Sequence, residues 1–312
     1  MDQDVRAPPA FPEKAKPPGI AAGMSVQEAF RAIACACLFH LLANAPLLPA
    51  RDPEAVHQMR VALRRLRAAL SLFRDAVADG EAGTVKAELR ALAADFGEAR
   101  DLDVFIEKTL GPACAERPDD AGLADLARVY AGRRDAAYDK AVEAVSSGRL
   151  GRAVLKTLAW TEAGSWLAGE DNARLRAAPV EAFAARELAR RARRVRGKAA
   201  RLAELEPAAR HRVRIAVKKL RYAAEFFAPL WPGKGRARRA KAFRAALVDL
   251  QDRLGDLNDI AVAAALAGNG ADPATREAER LLAERRASRL DEHLGAARRA
   301  FRDFADAEPF WR

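Results

Sequence analysis

The chain has 312 residues, of which 50% are hydrophobic and 31% are charged, so it can bury a core and is globular rather than disordered. Lysine and arginine number 54 against 43 acidic residues, which gives a formal net charge of +11. A protein this basic is expected to meet a polyanion or an anionic surface.

The first residues, "MDQDVRAPPAFPEKAKPPG", are rich in proline and lack the apolar segment of a secretory signal. Residues 1–24 are therefore predicted to be a disordered arm. The longest apolar run, "AIACACLF", is too short to cross a membrane, so we expect a cytoplasmic protein without membrane association. Cys35 and Cys37 point to different sides of a helix, and we expect these thiols and Cys114 to lie in the core without binding metal.

Helical composition runs through the first half of the chain. Ser25 and Glu28 form a capping-box pattern that begins the first helix, which is expected to end near Asn44. The further helices are predicted over 53–79, over 82–110 with an interruption at "FGEARDLD", over 121–145 and over 150–166. "GPACAERPDD" is predicted to be a loop, and residues 169–178 a hinge between two halves.

The second half has the same character. Its predicted helices cover 179–205, 207 to about "APLWPGKG", 237–267 with an interruption at "RLGDLNDI", and 272–304. No segment alternates between apolar and polar residues with a period of two, so no sheet is expected and the predicted class is all-α.

Two blocks occur twice along the chain. "HQMRVALRRLR" begins at His57 and aligns with "HRVRIAVKKLR", which begins at His211. "GEARD", from Gly97, aligns with "GDLND", from Gly255, after a shift of about one helical turn. The repetition predicts two homologous four-helix halves, residues 25–168 and 179–312, related by a pseudo-twofold axis that could bring their basic faces to one shared surface.

Each copy of the first block places cations on one helix face beside an apolar face. We call the two cationic faces the first and second basic stripes. Neither stripe contains a carboxylate, although ordinary solvated helices mix acids and bases at this spacing. Cations repeated at about 5 Å suit a linear chain of phosphates. The alternative is an arginine-rich face that acidic helices of the same protein neutralise. The stripes consist of His57, Arg60, Arg64 and Arg67, and of His211, Arg214, Lys218 and Arg221; Arg65 and Lys219 flank the histidines.

A third basic run, "ARRARRVRGKAAR", places Arg190, Arg194, Lys198 and Arg201 close together on one helix face and supports the same interpretation. The carboxylates of "GEARD" and "GDLND" could bind a metal. A structural role is the alternative that we favour, in which the glycine interrupts the helix and the aspartate caps the next segment or pairs with Arg100. His40 and His293 are not repeated and are expected to be structural.

Taken together in this order and spacing, "EAVHQMRVALRRLRAALSLF", "LAADFGEARDLDVF", "HRVRIAVKKLRYAAEFF" and "LQDRLGDLNDIAV" resemble the CHAD family, the conserved-histidine α-helical domain. The resemblance covers about residues 25–304. It implies two four-helix repeats around a basic central pore and binding of inorganic polyphosphate without hydrolysis, and some association with polyphosphate or storage granules. The implied ligand contacts are His57, Arg60, Arg64, Arg65, Arg67, His211, Arg214, Lys218, Lys219 and Arg221.

Two features depart from many relatives. The arm before the first helix is too short for a triphosphate-tunnel domain, and Asn258 stands where the first repeat has Arg100. Two other functions remain open at this stage. A nucleic-acid-binding protein fits the charge, but only 6% of residues are aromatic and could stack on bases. A metal-dependent phosphohydrolase would require the acidic blocks to converge beside the basic residues. We expect no cofactor and no catalysis.

Overall fold

The computed structural model describes residues 11–266 and 273–312, and no β-strand occurs in this part of the chain. The predicted all-α class is confirmed. A π-helical turn covers Ile106–Leu110. The α-helices are α1 (Val26–Asn44), α2 (Pro53–Leu72), α3 (Ala82–Phe105), α4 (Gly111–Glu116), α5 (Ala121–Ser146), α6 (Arg149–Ala163), α7 (Ala173–Ala177), α8 (Val180–Ala199), α9 (Pro207–Phe227), α10 (Lys234–Leu266), α11 (Pro273–Ala287) and α12 (Leu290–Asp306).

Helix α1 begins as its sequence predicts. The Ser25 side chain accepts a hydrogen bond from the Glu28 backbone N–H, and the Glu28 carboxylate accepts one from the Ser25 backbone N–H. This reciprocal cap satisfies two backbone donors at the helix start and fixes the point where the N-terminal segment enters the helix.

Both predicted helix interruptions are wrong. Helix α3 continues through "FGEARDLD", and α10 continues through "RLGDLNDI". Helix α2 ends at Leu72 rather than near Asp79, whose carboxylate instead accepts hydrogen bonds from the first turn of α3. A glycine inside a helix costs only about 1 kcal/mol, which packing along a long helix outweighs.

Other boundaries also differ from the predictions, and the end of α8 at Ala199 rather than near Leu205 is one of them. "GPACAERPDD" contains helix α4, and the expected hinge contains α7. The expected last helix is two helices, α11 and α12, separated by a turn at residues 288–289; its predicted start at Asp272 and the predicted end of α10 at Ala267 lie outside the described residues.

The described chain forms two compact units. Unit 1 consists of the described residues up to Gly19, Ser25–Phe105 and Tyr130–Ala178. Unit 2 consists of Ile20–Met24, Ile106–Val129 and the described residues from Pro179 to Arg312. Residues 106–129 therefore group with the second half, whereas the sequence assigns them to the first. The pseudo-twofold relation and the shared pore stay predictions.

Unit 1 is built on the packing of α1 against α2 and of α2 against α3, with α6 beside α1. Its aromatic centre is Phe30, whose ring lies 5.5 Å from the rings of Phe73 and Trp166 and 6.0 Å from that of Trp160. These rings are fully or almost fully buried. They hold the end of α2 and the end of α6 against α1, which keeps the exposed face of α2 in place.

Before α1, residues 11–19 belong to unit 1 and residues 20–24 to unit 2, whereas the sequence predicts disorder over residues 1–24; residues 1–10 lie outside the described part. The Glu13 N–H donates to the Asn44 carboxamide oxygen at 3.0 Å, and Asn44 donates back to the Glu13 carbonyl. His40 lies 3.0 Å from that carbonyl and 3.1 Å from Gln58. The buried His40 therefore has the structural role that we expected, because it satisfies the polar groups of this segment.

In unit 2, α10 packs against α9, α11 and α12, and α8 packs against α9. Phe243 is the centre of the aromatic core, with ring distances of 5.6 Å to Phe304, 5.9 Å to Phe310 and 5.0 Å to Trp311. The last two residues of this set come from the C-terminal segment, which thereby covers α10. Helices α8, α9 and α10 lie side by side, and they present the basic residues of this unit.

By length and composition alone, the segment Val26–Ala50 could cross a membrane, which differs from our expectation that no run is long enough. Half of its most apolar window is buried, and α1 packs against α2 and α6. A core helix meets the same criterion of length and composition, so this observation is weak evidence for a membrane segment.

Candidate polyanion-binding site

The first basic stripe lies along α2 where this helix packs on α3. Arg60 donates to the Gly97 carbonyl and, at 3.0 Å, to the Asp101 carboxylate. Its guanidinium lies over Gly97, where an added Cβ would be 3.6 Å from Nη1. The guanidinium therefore lies on the face of α3 that carries this glycine, where a Cβ would make an ordinary van der Waals contact with it.

The second basic stripe repeats this contact in unit 2. The Arg214 guanidinium lies over Gly255 of α10, where an added Cβ would be 3.7 Å from Nη2. His211 Nδ1 is 2.7 Å from the Asn258 carboxamide oxygen, and Arg221 donates to Gln251 at 2.9 Å. In both units, then, the repeated arginine packs on the repeated glycine of the following long helix.

The charge of the stripes is only partly neutralised. Arg60 pairs with Asp101, and Arg221 lies 3.6 Å from Glu225. Arg64 and Arg214 form no ion pair with any described residue, and the buried Nε of each has no hydrogen-bond partner in this part of the chain. Among the described residues, acidic side chains therefore compensate Arg60 and Arg221 and leave Arg64 and Arg214 for an external anion.

His57 is half-buried among cations. Burial lowers its pKa most, followed by the effect of Arg100, and Arg64 and Arg60 act in the same direction, whereas Glu54 opposes them. The imidazole is therefore neutral near pH 7 in the absence of a ligand. A bound anion would favour its protonated form, in which both ring nitrogens donate hydrogen bonds.

Helix α3 adds to the site two cations that the repeated block does not predict. Arg100 influences the pKa of His57 and of Arg60, and Arg90 lowers that of Arg67, for which burial is the larger cause. The spacing contained a signal for Arg90, because it lies seven residues before Gly97 and so on the same face of α3. In unit 2 Asn258 holds the position of Arg100 and Val248 that of Arg90, so neither α3 cation has a counterpart beside the second stripe.

Two flanking residues do not lie with the stripes. Arg65 is 3% exposed, and it donates to the Lys16 carbonyl beneath the docked N-terminal segment. Lys219 is exposed but lines a groove between α8 and α9 instead. A helical wheel places both side chains beside the histidines, because it treats each helix alone. The segments that pack on each helix determine the surroundings of these two side chains.

The residues of the third basic run lie in different places. Arg190 and Arg194 line the same α8–α9 groove as Lys219, and Arg190 also pairs with Glu187 at 2.6 Å. Arg201 lines a separate hollow, in which it lies 3.9 Å from Glu204. Lys198 is half-buried on α8 and lines neither. The structure therefore does not bring these four residues into one site.

The acidic blocks have structural partners. Asp103 accepts hydrogen bonds from Arg134 and Tyr138, each at 2.7 Å, and Glu98 pairs with Lys140. His293 lies 3.6 Å from Asp256, which gives it a structural contact. Within residues 11–266 and 273–312, no group of three or more His, Cys, Asp or Glu side chains is placed to hold a metal ion. Asp101, which the sequence predicts to pair with Arg100, pairs with Arg60 instead.

The cysteines are free thiols. Cys37 is buried, and burial raises its pKa to about 11, so this thiol is unreactive at neutral pH. Cys35 and Cys114 are half-buried and lie near Glu162 and the Leu123 carbonyl.

With this geometry in place, the comparisons with known proteins identify the family. The family model of the CHAD domain matches residues 32–268, and the chain belongs to that family. The crystal structure of the CHAD domain from the plant Ricinus communis is similar, with 30% identity and a TM-score of 0.78 over 94% of this chain and 97% of that one.

A second solved structure, PptA from Streptomyces chartreusis, has 19% identity and a TM-score of 0.61 over 89% of this chain and 99% of that one. At this identity the likeness shows a shared fold. No curated protein sequence matches the chain.

Proposed function

We propose that this protein binds inorganic polyphosphate through the two basic stripes and does not hydrolyse it. The observation that carries the proposal is the pair Arg64 and Arg214, half-buried arginines on repeated stripes with no acidic partner among the described residues. An anion with closely spaced phosphates would compensate them, and arginine offers phosphate a bidentate donor pair. Family membership supports the same ligand.

The absence of base-reading features in the stripes favours polyphosphate over nucleic acid as the ligand. The phenylalanines of the repeated helices, Phe73 and Phe227, are fully buried and cannot stack on bases. In the same proposal the protein is cytoplasmic, and it would meet its ligand there, free or in granules.

The test is calorimetric titration of the full chain with long-chain polyphosphate, with single-stranded DNA of equal charge as competitor. We expect Arg64→Gln/Arg214→Gln to weaken binding by about a hundredfold or more, because each of the two lost charge-assisted hydrogen bonds is worth about 1.5–3 kcal/mol. The matched control is Arg74→Gln/Arg128→Gln, which removes the same charge from exposed residues outside the stripes. The control should bind as the unmodified protein does.

Equal loss in the control variant, or displacement of polyphosphate by DNA, would show that the attraction is generic and would overturn the proposal. Phosphate release is measured in the same samples with magnesium and with manganese. Release of phosphate would contradict the non-catalytic part of the proposal.

A further inference from the structure

A groove between α8 and α9 collects cations of unit 2 that do not belong to the second basic stripe. Five cationic side chains line it together with Ala216 and Ile215, which is 41% exposed. The lining residues are Arg190, Arg191, Arg194, Arg212, Ile215, Ala216 and Lys219.

The groove and the second basic stripe occupy different faces of α9. On a helical wheel starting at His211, Arg212 and Lys219 fall at about 80–100°, whereas the stripe falls between about 280° and 360°. The stripe side faces α10, because Arg214 lies on Gly255 and Arg221 reaches Gln251. The groove side faces α8. One straight segment of a polyanion therefore cannot contact both.

The positive charge of the groove exceeds its local compensation. Glu187 pairs with two of the lining arginines, at 2.6 Å from Arg190 and 3.4 Å from Arg191. Arg194 and Arg212 form no ion pair with any residue in the described ranges, and both are exposed. Mutual repulsion of these guanidinium groups is relieved by an anion that several of them can share.

The size of the groove limits the anion. It encloses about 70 Å³, whereas a pocket for a drug-sized organic ligand needs about 300–1,000 Å³. Only a compact group can enter. A terminal phosphate carries a charge of about −1.5 to −2 near pH 7, with three acceptor oxygens, while an internal phosphate of a chain carries a single charge. A short groove rich in arginine therefore matches an end group better than an internal one.

The geometry points to the α8–α9 groove as a second site that binds a terminal phosphate group, either the end of a polyphosphate chain or an organic phosphate monoester. The assignment of the bound group to the end of a polyphosphate chain rests on the proposed function of the stripes. The site itself does not, because it lies on another face of α9 and uses other residues.

The experiment compares linear tripolyphosphate, which has two end groups, with cyclic tetrametaphosphate, which has none. Both are titrated into the full chain carrying Arg64→Gln/Arg214→Gln, so that the stripes contribute little. We expect the linear compound to bind and the cyclic one to bind at least tenfold more weakly. Adding Arg194→Gln/Arg212→Gln should reduce binding of the linear compound by at least tenfold. The matched control adds Arg193→Gln/Arg238→Gln, which lie outside the groove, and should leave binding unchanged.

A titration with glycerol 3-phosphate distinguishes an organic phosphate monoester from the end of a polyphosphate chain as the ligand. Groove-dependent binding as tight as that of tripolyphosphate would assign the site to organic monoesters, and weaker binding would assign it to chain ends. Equal binding of the linear and cyclic compounds, or no loss with Arg194→Gln/Arg212→Gln, would overturn the inference. Failure of the proposed function would appear separately, as unchanged binding of long-chain polyphosphate in the stripe variant.

Discussion

Two carboxylates on helix α3, Asp101 and Asp103, are two residues apart and have opposite surroundings. Asp103 is 7% exposed and accepts hydrogen bonds from Arg134 and the fully buried Tyr138. Asp101 is exposed and pairs with Arg60. We expect Asp103→Ala to lower the free energy of unfolding by about 2–3 kcal/mol, because it leaves a buried hydroxyl and a partly buried guanidinium unpaired.

Asp101→Ala is the internal control for that measurement. It breaks an ion pair whose carboxylate side chain is 74% exposed, and such pairs contribute about 1 kcal/mol or less. Urea unfolding of the two variants and the unmodified protein gives the comparison. Equal losses in the two variants would contradict the distinct roles assigned to these carboxylates.

At the same scale, sequence predicted which residues form the stripes but not all of their neighbours. The three- and four-residue spacing of Arg60, Arg64 and Arg67 is enough to place them on one helix face. Arg65 and Lys219 are equivalent in sequence and differ in structure, since one is covered by the N-terminal segment and the other faces α8. The segments that pack on these two side chains are distant in sequence, so the residue spacing within one helix does not predict them.

The sequence predicts most of the helices, but it does not predict that α3 and α10 continue without interruption. The glycines of "GEARD" and "GDLND" suggested breaks, yet each sits within a long helix under an arginine of the neighbouring one. The irregular turn of this region is the π-helical segment Ile106–Leu110, which carries no distinctive sequence signal. Tertiary packing, rather than local propensity, decides these details.

Asp79 connects several elements of unit 1. One carboxylate oxygen accepts from the N–H groups of Glu81 and Ala82 at the start of α3, and the other accepts from Trp160, Ser165 and the Trp166 N–H. We expect Asp79→Ala to reduce the free energy of unfolding by about 1–2 kcal/mol at pH 7, through loss of the cap and of these contacts.

The effect should depend on pH. Burial raises the pKa of Asp79, but the hydrogen bonds from Trp160, Ala82, Ser165 and Glu81 outweigh burial and lower it overall. A lowered pKa in the folded state means that the stabilisation is complete above the unfolded value of about 3.9 and is lost as the pH falls below it. Urea unfolding at several pH values measures this. A difference between variant and unmodified protein that stays constant down to pH 3 would contradict the assignment.

At the scale of the whole molecule, the net charge of +11 is distributed unevenly between paired and unpaired cations. Many surface arginines form ion pairs within one turn of their own helix, such as Arg128 with Asp125 and Arg280 with Glu277. Arg64, Arg194, Arg212 and Arg214 form none with the described residues. Part of the excess charge that the composition reports therefore lies on the stripes and in the α8–α9 groove without an acidic partner among the described residues, where a polyanion can reach it.

This distribution predicts the salt dependence of binding. Each phosphate neutralised by a cation releases counterions, so the logarithm of the association constant should fall linearly with the logarithm of salt concentration, by about 0.7 per contact for a single-stranded polyanion. Removing two contacts with Arg64→Gln/Arg214→Gln should reduce the magnitude of this slope by about 1.4. The measurement is polyphosphate affinity at four or more salt concentrations for the variant, the unmodified protein and Arg74→Gln/Arg128→Gln. A slope that is equal in all three would mean that Arg64 and Arg214 do not contact the bound chain, because a lost phosphate contact must reduce the number of released ions.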